Sequence, residues 1–310
     1  MDASHHKPLV VLLMGPTASG KTAFSLELAE ALQTEIISVD SALVYREMDI
    51  GTAKPTKAET ARITHHLIDI IDPSETYSTG QFRDQASLCI DNLIARNKTP
   101  ILTGGTMLYF NSLTQGLAQL PPANAEIRAD LEQQMQIKGK LAMHELLKKI
   151  DPDSAGRIHM NDPQRIQRAL EVYRITGQPL SSFFNQAYES PYRFIKIIIS
   201  PVDRSVLHQR IEKRFHAMLK NGLIEEVNCL RNRGDMNLSM PSMRSVGYRQ
   251  VWQYLEGATQ LSDMIEQSIA ASRQLAKRQL TWLRKIEDAL WIDNAENQLP
   301  IVLERIQGLL

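Results

Sequence analysis

The chain is poor in cysteine, has no long apolar run and carries no excess of either charge. Its two cysteines, Cys89 and Cys229, lie far apart in 310 residues. They form neither metal-ligand nor redox spacing, so inert thiols in a reducing compartment are expected. No segment approaches the roughly 20 apolar residues that span a bilayer. The run Leu9 to Met14 behind Lys7 is too short for a signal sequence. A cytoplasmic protein with no membrane attachment is therefore expected. Thirty-five Lys and Arg balance 35 Asp and Glu, so overall charge gives no sign of a nucleic-acid partner, which has to be sought in local basic faces. Internal repeats and low-complexity tracts are lacking, and His65-His66 has no partner at metal spacing. The 43% hydrophobic content is enough for one sizeable core, or a core with a smaller appended domain.

Residues 9 to 22 run from an apolar stretch directly into G-x-x-x-x-G-K-[ST], here Gly15, Pro16, Thr17, Ala18, Ser19, Gly20, Lys21 and Thr22. Glycines at both ends let the backbone curl so that successive N–H groups point inward, and the next helix adds its positive N-terminus. Lys21 supplies a point charge to the outer phosphates, and the Thr22 hydroxyl is placed for Mg2+. Phe24, Leu28 and Leu32 then repeat every four residues, as one face of a helix. Strand, loop and helix in this order predict a diphosphate or triphosphate site, the ATP-binding type of loop included.

Further β-leaning runs are Glu35 to Val39, Thr99 to Thr103, Phe194 to Ser200 and Ala289 to Ile292. Alternating with helices, they predict an α/β fold: a P-loop NTPase-like parallel sheet core, with ligands at the C-terminal ends of the strands. Between Leu120 and Pro191 the strand signal disappears. Asp130 to Ile150 reads as one amphipathic helix, and Asp162-Pro163 is an N-cap followed by proline at the first helical position. The expected organisation is a first core segment over 1–119, a helical insertion domain over 120–191, and a mostly helical second core segment over 192–310. Helices are expected in that last segment at Val206 to Leu219, Ile224 to Leu230, Val246 to Leu255 and about Leu261 to Lys285.

Asp40 follows the second strand and is a candidate general base; a helix cap and an outer-sphere magnesium ligand are the alternatives. Thr106, after Gly104-Gly105, offers a hydroxyl at the same rim, or marks only a tight turn. Arg210 and Arg214 share a helix face in a pattern similar to the phosphate-clamping lid of small kinases, with a solvated helix as the alternative. Arg165 with Arg168, Arg244 with Arg249, and Arg273, Lys277, Arg278, Arg284 and Lys285 form three basic sets. Accompanied by glutamines and Tyr248, they have the groups that read looped RNA, though each alone is ordinary surface.

Taken together, these pieces resemble the tRNA dimethylallyltransferases, or tRNA isopentenyltransferases, from end to end. The matching segments are 15–22, Asp40 to Tyr45, Asp49 to Pro55, His65 to Asp69, Gly104 to Tyr109, Asp162 to Ile166, Val246 to Gln250 and Arg273 to Gln279. Departures are Glu47, where glycine is common, Met160, where proline is common, and Thr103, where a small apolar residue is usual. The resemblance implies transfer of a dimethylallyl group from dimethylallyl diphosphate to the exocyclic amine of adenosine 37, in tRNAs reading codons that begin with U. It implies Asp40, Thr106, Lys21 and Arg214 as catalytic residues, loop residues 15–22 at the diphosphate, and Mg2+ at Thr22. It also implies contacts to the tRNA anticodon stem-loop from Asp40, Ser41, Ala42, Leu43, Thr106, Arg128, Gln164, Arg165, Ile166, Gln167, Arg168, Arg244, Ser245, Val246, Gly247, Tyr248 and Arg249. A monomer is expected. The rival is an ATP-dependent small-molecule kinase, against which stands the lack of an acidic residue at the end of the strand Thr99 to Thr103.

Overall fold

The computed structural model describes residues 7–184, 188–293 and 298–309. The chain divides into two compact units, 1–115 with 190–310, and 116–189.

The first unit is built on a six-stranded, wholly parallel sheet of order β3-β2-β4-β1-β5-β6. Its first half runs β1 (Leu9–Met14), α1 (Lys21–Ala31), β2 (Ile36–Val39), α2 (Lys57–Arg62), β3 (His65–His66), α3 (Thr79–Ala95), β4 (Ile101–Gly104) and α4 (Met107–Thr114). All six β1 residues are buried, as a central strand covered on both faces requires. One face packs Phe82, Ile90, Tyr109 and Phe110 against Val10, Leu12 and Leu102. The other packs Phe24 and Leu28 of α1 against Val11, Leu13 and Ile36. The chain leaves β1 toward β2 and later returns to place β5 on the opposite flank. The C-terminal ends of β1, β2 and β4 thus meet at a topological switch point, where ligands of open α/β sheets bind.

Strand β3 has no counterpart in the sequence reading. It is two residues long, too short for any period, and is held by pairing with Ile36 and Ile37 and by His66 beside the Glu35 carboxylate at 2.7 Å. Glu35 also takes Arg96 at 2.7 Å and Lys98 at 2.8 Å. These ties fix the end of the sheet away from the rim.

The second unit contains α5 (Ala125–Ile150), α6 (Pro152–Arg157) and α7 (Pro163–Thr176). Asp162 caps α7 by accepting from the Arg165 N–H. The single helix expected from Asp130 starts earlier, at the Asn124 cap, and is broken at Gly139, whose φ of 79° only glycine adopts at little cost. The unit has its own core, around Leu131, Leu147, Ile166 and Leu170.

The first unit resumes with β5 (Arg193–Ile199), α8 (Arg204–Lys220), α9 (Leu223–Arg231), α10 (Tyr248–Leu255), α11 (Leu261–Leu283), β6 (Ala289–Ile292) and α12 (Leu299–Gln307). Helix α10 starts two residues later than expected, because Gly247 takes φ 93° and ends the irregular segment before it. No described helix is long and apolar enough to cross a membrane.

Candidate active site

The rim residues form a cavity of about 190 Å³ lined by Thr17, Lys21, Thr22, Asp40, Ala42, Leu43, Arg214 and Gln279, and by the apolar Ile211, Phe215, Met218 and Leu275. Lys21 comes from the first turn of α1, Asp40 from the end of β2, and Arg214 from α8. The Lys21 ammonium donates to the Pro16 carbonyl at 2.7 Å, closing the loop on itself. Burial, joined by the Arg214 guanidinium, pushes the Lys21 pKa down to about 7 against the opposing pull of Asp40. Burial also lowers Arg214, again opposed by Asp40. Two cations and one carboxylate thus share a poorly hydrated space, a net positive site made for an anion.

Both arginines of the α8 pair reach this region. Arg214 donates to the Thr52 carbonyl at 3.2 Å, and Arg210 lies against the Ser19 carbonyl at 3.4 Å. Together they flank loop residues Ala18 to Thr22 in an adjoining cavity. Arg214 is steered by a backbone device that the sequence reading missed. The Glu226 carboxylate of α9 accepts the N–H groups of Asp49, Ile50 and Gly51 at 2.9, 2.7 and 3.1 Å, and the Tyr248 hydroxyl at 2.5 Å. A Cβ on Gly51 would lie 2.5 Å from the Tyr248 ring, so glycine there admits the aromatic and fixes the segment that carries Thr52.

Asp40 caps no helix: its Oδ1 accepts the Ala42 N–H at 2.8 Å in a local turn. The Thr106 hydroxyl accepts the Ser41 N–H at 3.1 Å, which joins the β4 turn to the Asp40 segment. The two glycines before Thr106 serve packing within the protein. A Cβ on Gly104 would sit 2.0 Å from the Val39 carbonyl, and one on Gly105 would sit 2.4 Å from Gln279 Nε2.

The residues expected at RNA divide by exposure. Ser41, Gln164, Arg165, Arg244 and Arg249 are exposed. Ile166, Gly247 and Tyr248 are buried, Tyr248 completely, so the Tyr248 ring is not available for base stacking. Arg128 and Arg168 both bind the fully buried Glu171 carboxylate, at 2.9 and 2.6 Å. Gln167 donates to the Arg128 carbonyl. Two of the five arginines in this set therefore help hold their own unit together.

A divalent cation fits the donors present. No group of three or more His, Cys, Asp or Glu that could cage a metal occurs among the described residues. The cavity does hold the Thr22 hydroxyl, Asp40, and the buried hydroxyls of Ser38 and Thr103, neighbours in register on β2 and β4 and without a hydrogen-bond partner among the described residues. Hydroxyl and carboxylate oxygens suit a hard cation that keeps several waters and takes its main charge from ligand phosphates. Ser38 carried no sequence signal, since a serine in a short apolar strand reads as filler.

Comparison with known proteins supplies the context. The IPP transferase family model matches residues 43–286. The tRNA dimethylallyltransferase of Methylococcus capsulatus is 53% identical over 288 residues, covering 92% of each chain. That of a Janthinobacterium species is 57% identical over 290 residues, covering 93% of this chain and 92% of its own. Among solved structures, the full-length tRNA isopentenylpyrophosphate transferase of Bacillus halodurans superposes with a TM-score of 0.72 at 38% identity, covering 98% of this chain and 96% of that one. A eukaryotic dimethylallyltransferase acting on tRNA gives 0.81 at 26% identity, covering 97% and 77%.

Proposed function

The chain belongs to the IPP transferase family, the tRNA dimethylallyltransferases, and from that premise we propose that it transfers a dimethylallyl group from dimethylallyl diphosphate to the exocyclic amine of adenosine 37 in tRNAs reading codons that begin with U. The observation that carries this reading is the convergence of Lys21, Thr22, Asp40 and Arg214 on one cavity that Ile211, Phe215, Met218 and Leu275 also line. Diphosphate needs the cations, the five-carbon chain needs the apolar side chains, and the amine needs a base.

The amine nitrogen attacks the allylic carbon, the C–O bond breaks, and diphosphate leaves with the bonding pair. Loop N–H groups, Lys21 and Arg214 are aimed at the charge that grows on the departing oxygens, where preorganised donors act most strongly. Asp40 takes the proton released from nitrogen, sharpening a nucleophile whose lone pair is delocalised into the base; general-base catalysis of this kind is worth about 10²–10⁴-fold. Thr106 holds the Asp40 segment through the Ser41 N–H and stands beside the incoming base. Thr22 would hold Mg2+, which would supply further neutralisation of the leaving group when bound. The target base is turned out of a stacked loop, at a cost of a few kcal/mol, which the exposed Arg165, Arg244 and Arg249 offset through phosphate contacts. Cytoplasmic location and a monomeric state belong to the same proposal, and fractionation with sedimentation checks both.

Incubating the protein with unmodified tRNA and either labelled dimethylallyl diphosphate or γ-labelled ATP tests the reaction. Label reaching tRNA from the prenyl donor alone is the expected result; phosphate transfer from ATP would replace the reading with a kinase. Asp40→Ala should abolish transfer while leaving tRNA affinity nearly unchanged, and near-normal turnover by that variant would remove Asp40 as the base.

A further inference from the structure

The amide of Gln279 on α11 lies between the two loops that must be kept in register for transfer. Its Oε1 accepts the Thr17 N–H of the phosphate loop at 2.9 Å, and its Nε2 donates to the Gly105 carbonyl in the turn after β4, also at 2.9 Å. Neither loop is fixed by a capping side chain at the helix it leads into: Gly20 stands at the N-cap of α1 and Thr106 at that of α4, both without a side-chain cap bond. Gly105 is cut to fit the clamp, because a Cβ there would stand 2.4 Å from Gln279 Nε2. From Gly105 the chain passes to Thr106, whose hydroxyl takes the Ser41 N–H, and Asp40 is the next residue back. A continuous run of short bonds therefore leads from the phosphate loop, through Gln279, to the Asp40 segment.

We infer that Gln279 is a positioning residue that sets the spacing between the diphosphate cradle and the Asp40–Thr106 edge, and so between the departing donor and the attacking amine. The inference rests on the prenyl-transfer reading above. Asparagine is one methylene too short to reach both loops. Glutamate keeps the acceptor for Thr17 but faces the Gly105 carbonyl with a second acceptor. The clamp spends one loop N–H, Thr17, on protein rather than on phosphate, which fits a loop that must hold one fixed orientation more than it must bind with every amide. Misplacing reacting groups by about 1 Å costs on the order of 10²-fold in rate.

The test uses Gln279→Ala, Gln279→Glu, Gly105→Ala and the Gly105→Ala/Gln279→Ala double variant in the full chain. Melting temperature, Kd for inorganic diphosphate, Kd for unmodified tRNA, and kcat and KM for prenyl transfer are measured for each. The expected result is a fall in kcat of roughly 10- to 100-fold for both Gln279 variants, weaker diphosphate binding, and tRNA affinity within about twofold of the parent. Gly105→Ala should do comparable harm alone and add little once Gln279 is alanine, since both changes open the same clamp. Normal kcat and diphosphate affinity in Gln279→Ala would overturn the inference. So would loss of tRNA affinity with diphosphate binding intact, which would make Gln279 an RNA contact, and so would a lowered melting temperature as the sole effect. Failure of the parent protein to transfer a prenyl group would sink the functional reading instead, while diphosphate affinity would still report on the clamp.

Discussion

Lys21 is the residue at which charge, burial and ligand meet. With its pKa brought down to about 7 by burial and by Arg214, a large share of the ligand-free protein carries a neutral amine in slightly alkaline solution. An arriving diphosphate restores the charged form, so binding takes up a proton. Affinity should then decline as pH rises above about 7, and calorimetry in buffers of different ionisation enthalpy should show proton uptake beyond that of diphosphate itself. Lys21→Met should lose the extra uptake; equal uptake in the two proteins would contradict the assignment. The stability sign runs the other way. The unfolded lysine binds more protons than the folded one between pH 7 and 10.5, so this group makes the free protein gain stability as pH rises through that window. Glu47 shows a smaller effect. It takes φ 64°, a strain of about 1 kcal/mol for a residue with a Cβ, against which it gains an exposed pair with Arg233. Glu47→Gly should change stability by less than about 1 kcal/mol, since surface pairs are worth little; a larger loss in chemical unfolding would show the pair to be worth more.

Elements in this protein are fixed by a few contacts that no periodicity announces. Strand β1 and the turn into α1 are legible in the sequence because a fully buried parallel strand and a glycine-rich phosphate loop each leave a local signature. The end of β4 is different. Gly104 looks like a ligand contact from sequence, yet its missing Cβ is what lets β4 lie against the Val39 carbonyl of β2. Gly104→Ala should cost about 1–3 kcal/mol or more by overpacking, visible as an earlier unfolding midpoint even with saturating diphosphate. Helices α5 and α7 teach the same lesson. The resemblance implies Arg128 and Arg168 at the tRNA; in the structure both pair with the buried Glu171, which lies three residues from Arg168 on α7 but 43 from Arg128 on α5, so spacing announces the first pair and not the second. Burial alone would raise the Glu171 carboxyl; the two guanidiniums and the Asn124 N–H outweigh it and hold the pKa below the ordinary carboxylate value. A lowered folded pKa gives stability that is complete above the unfolded value and is lost as pH falls through the folded one. Glu171→Gln should cost about 1.5–3 kcal/mol, the scale for losing hydrogen bonds to a charged group, because the two arginines it leaves behind are partly in solvent, and should flatten the acid limb of the unfolding curve. Persistence of that limb would assign it to other carboxylates, such as Glu35.

At the scale of the whole molecule, zero net charge has to be reconciled with a polyanionic substrate. The reconciliation is a matter of which cations remain uncommitted. Arg128, Arg168, Arg174 and Arg233 are tied to carboxylates, whereas Arg244, Arg249, Lys277 and Arg278 are exposed, and Arg165 reaches Asp162 at 3.4 Å with most of its side chain in solvent. Binding driven by a small set of free cations should show a shallow salt dependence, because each phosphate neutralised contributes about 0.7–0.9 to the slope of log K against log salt. Replacing Arg165 in one unit and Arg249 in the other, singly and together, by alanine should each lower that slope by up to about 1. The pair should lose the sum of the single effects if one RNA engages both units. The comparison with Arg128→Ala separates the two classes of arginine. That variant should lower the stability of the 116–189 unit, by freeing one side of Glu171, more than it lowers the salt slope. A slope unchanged in Arg165→Ala and Arg249→Ala but reduced in Arg128→Ala would mean that the committed cations, and not the free ones, meet the RNA.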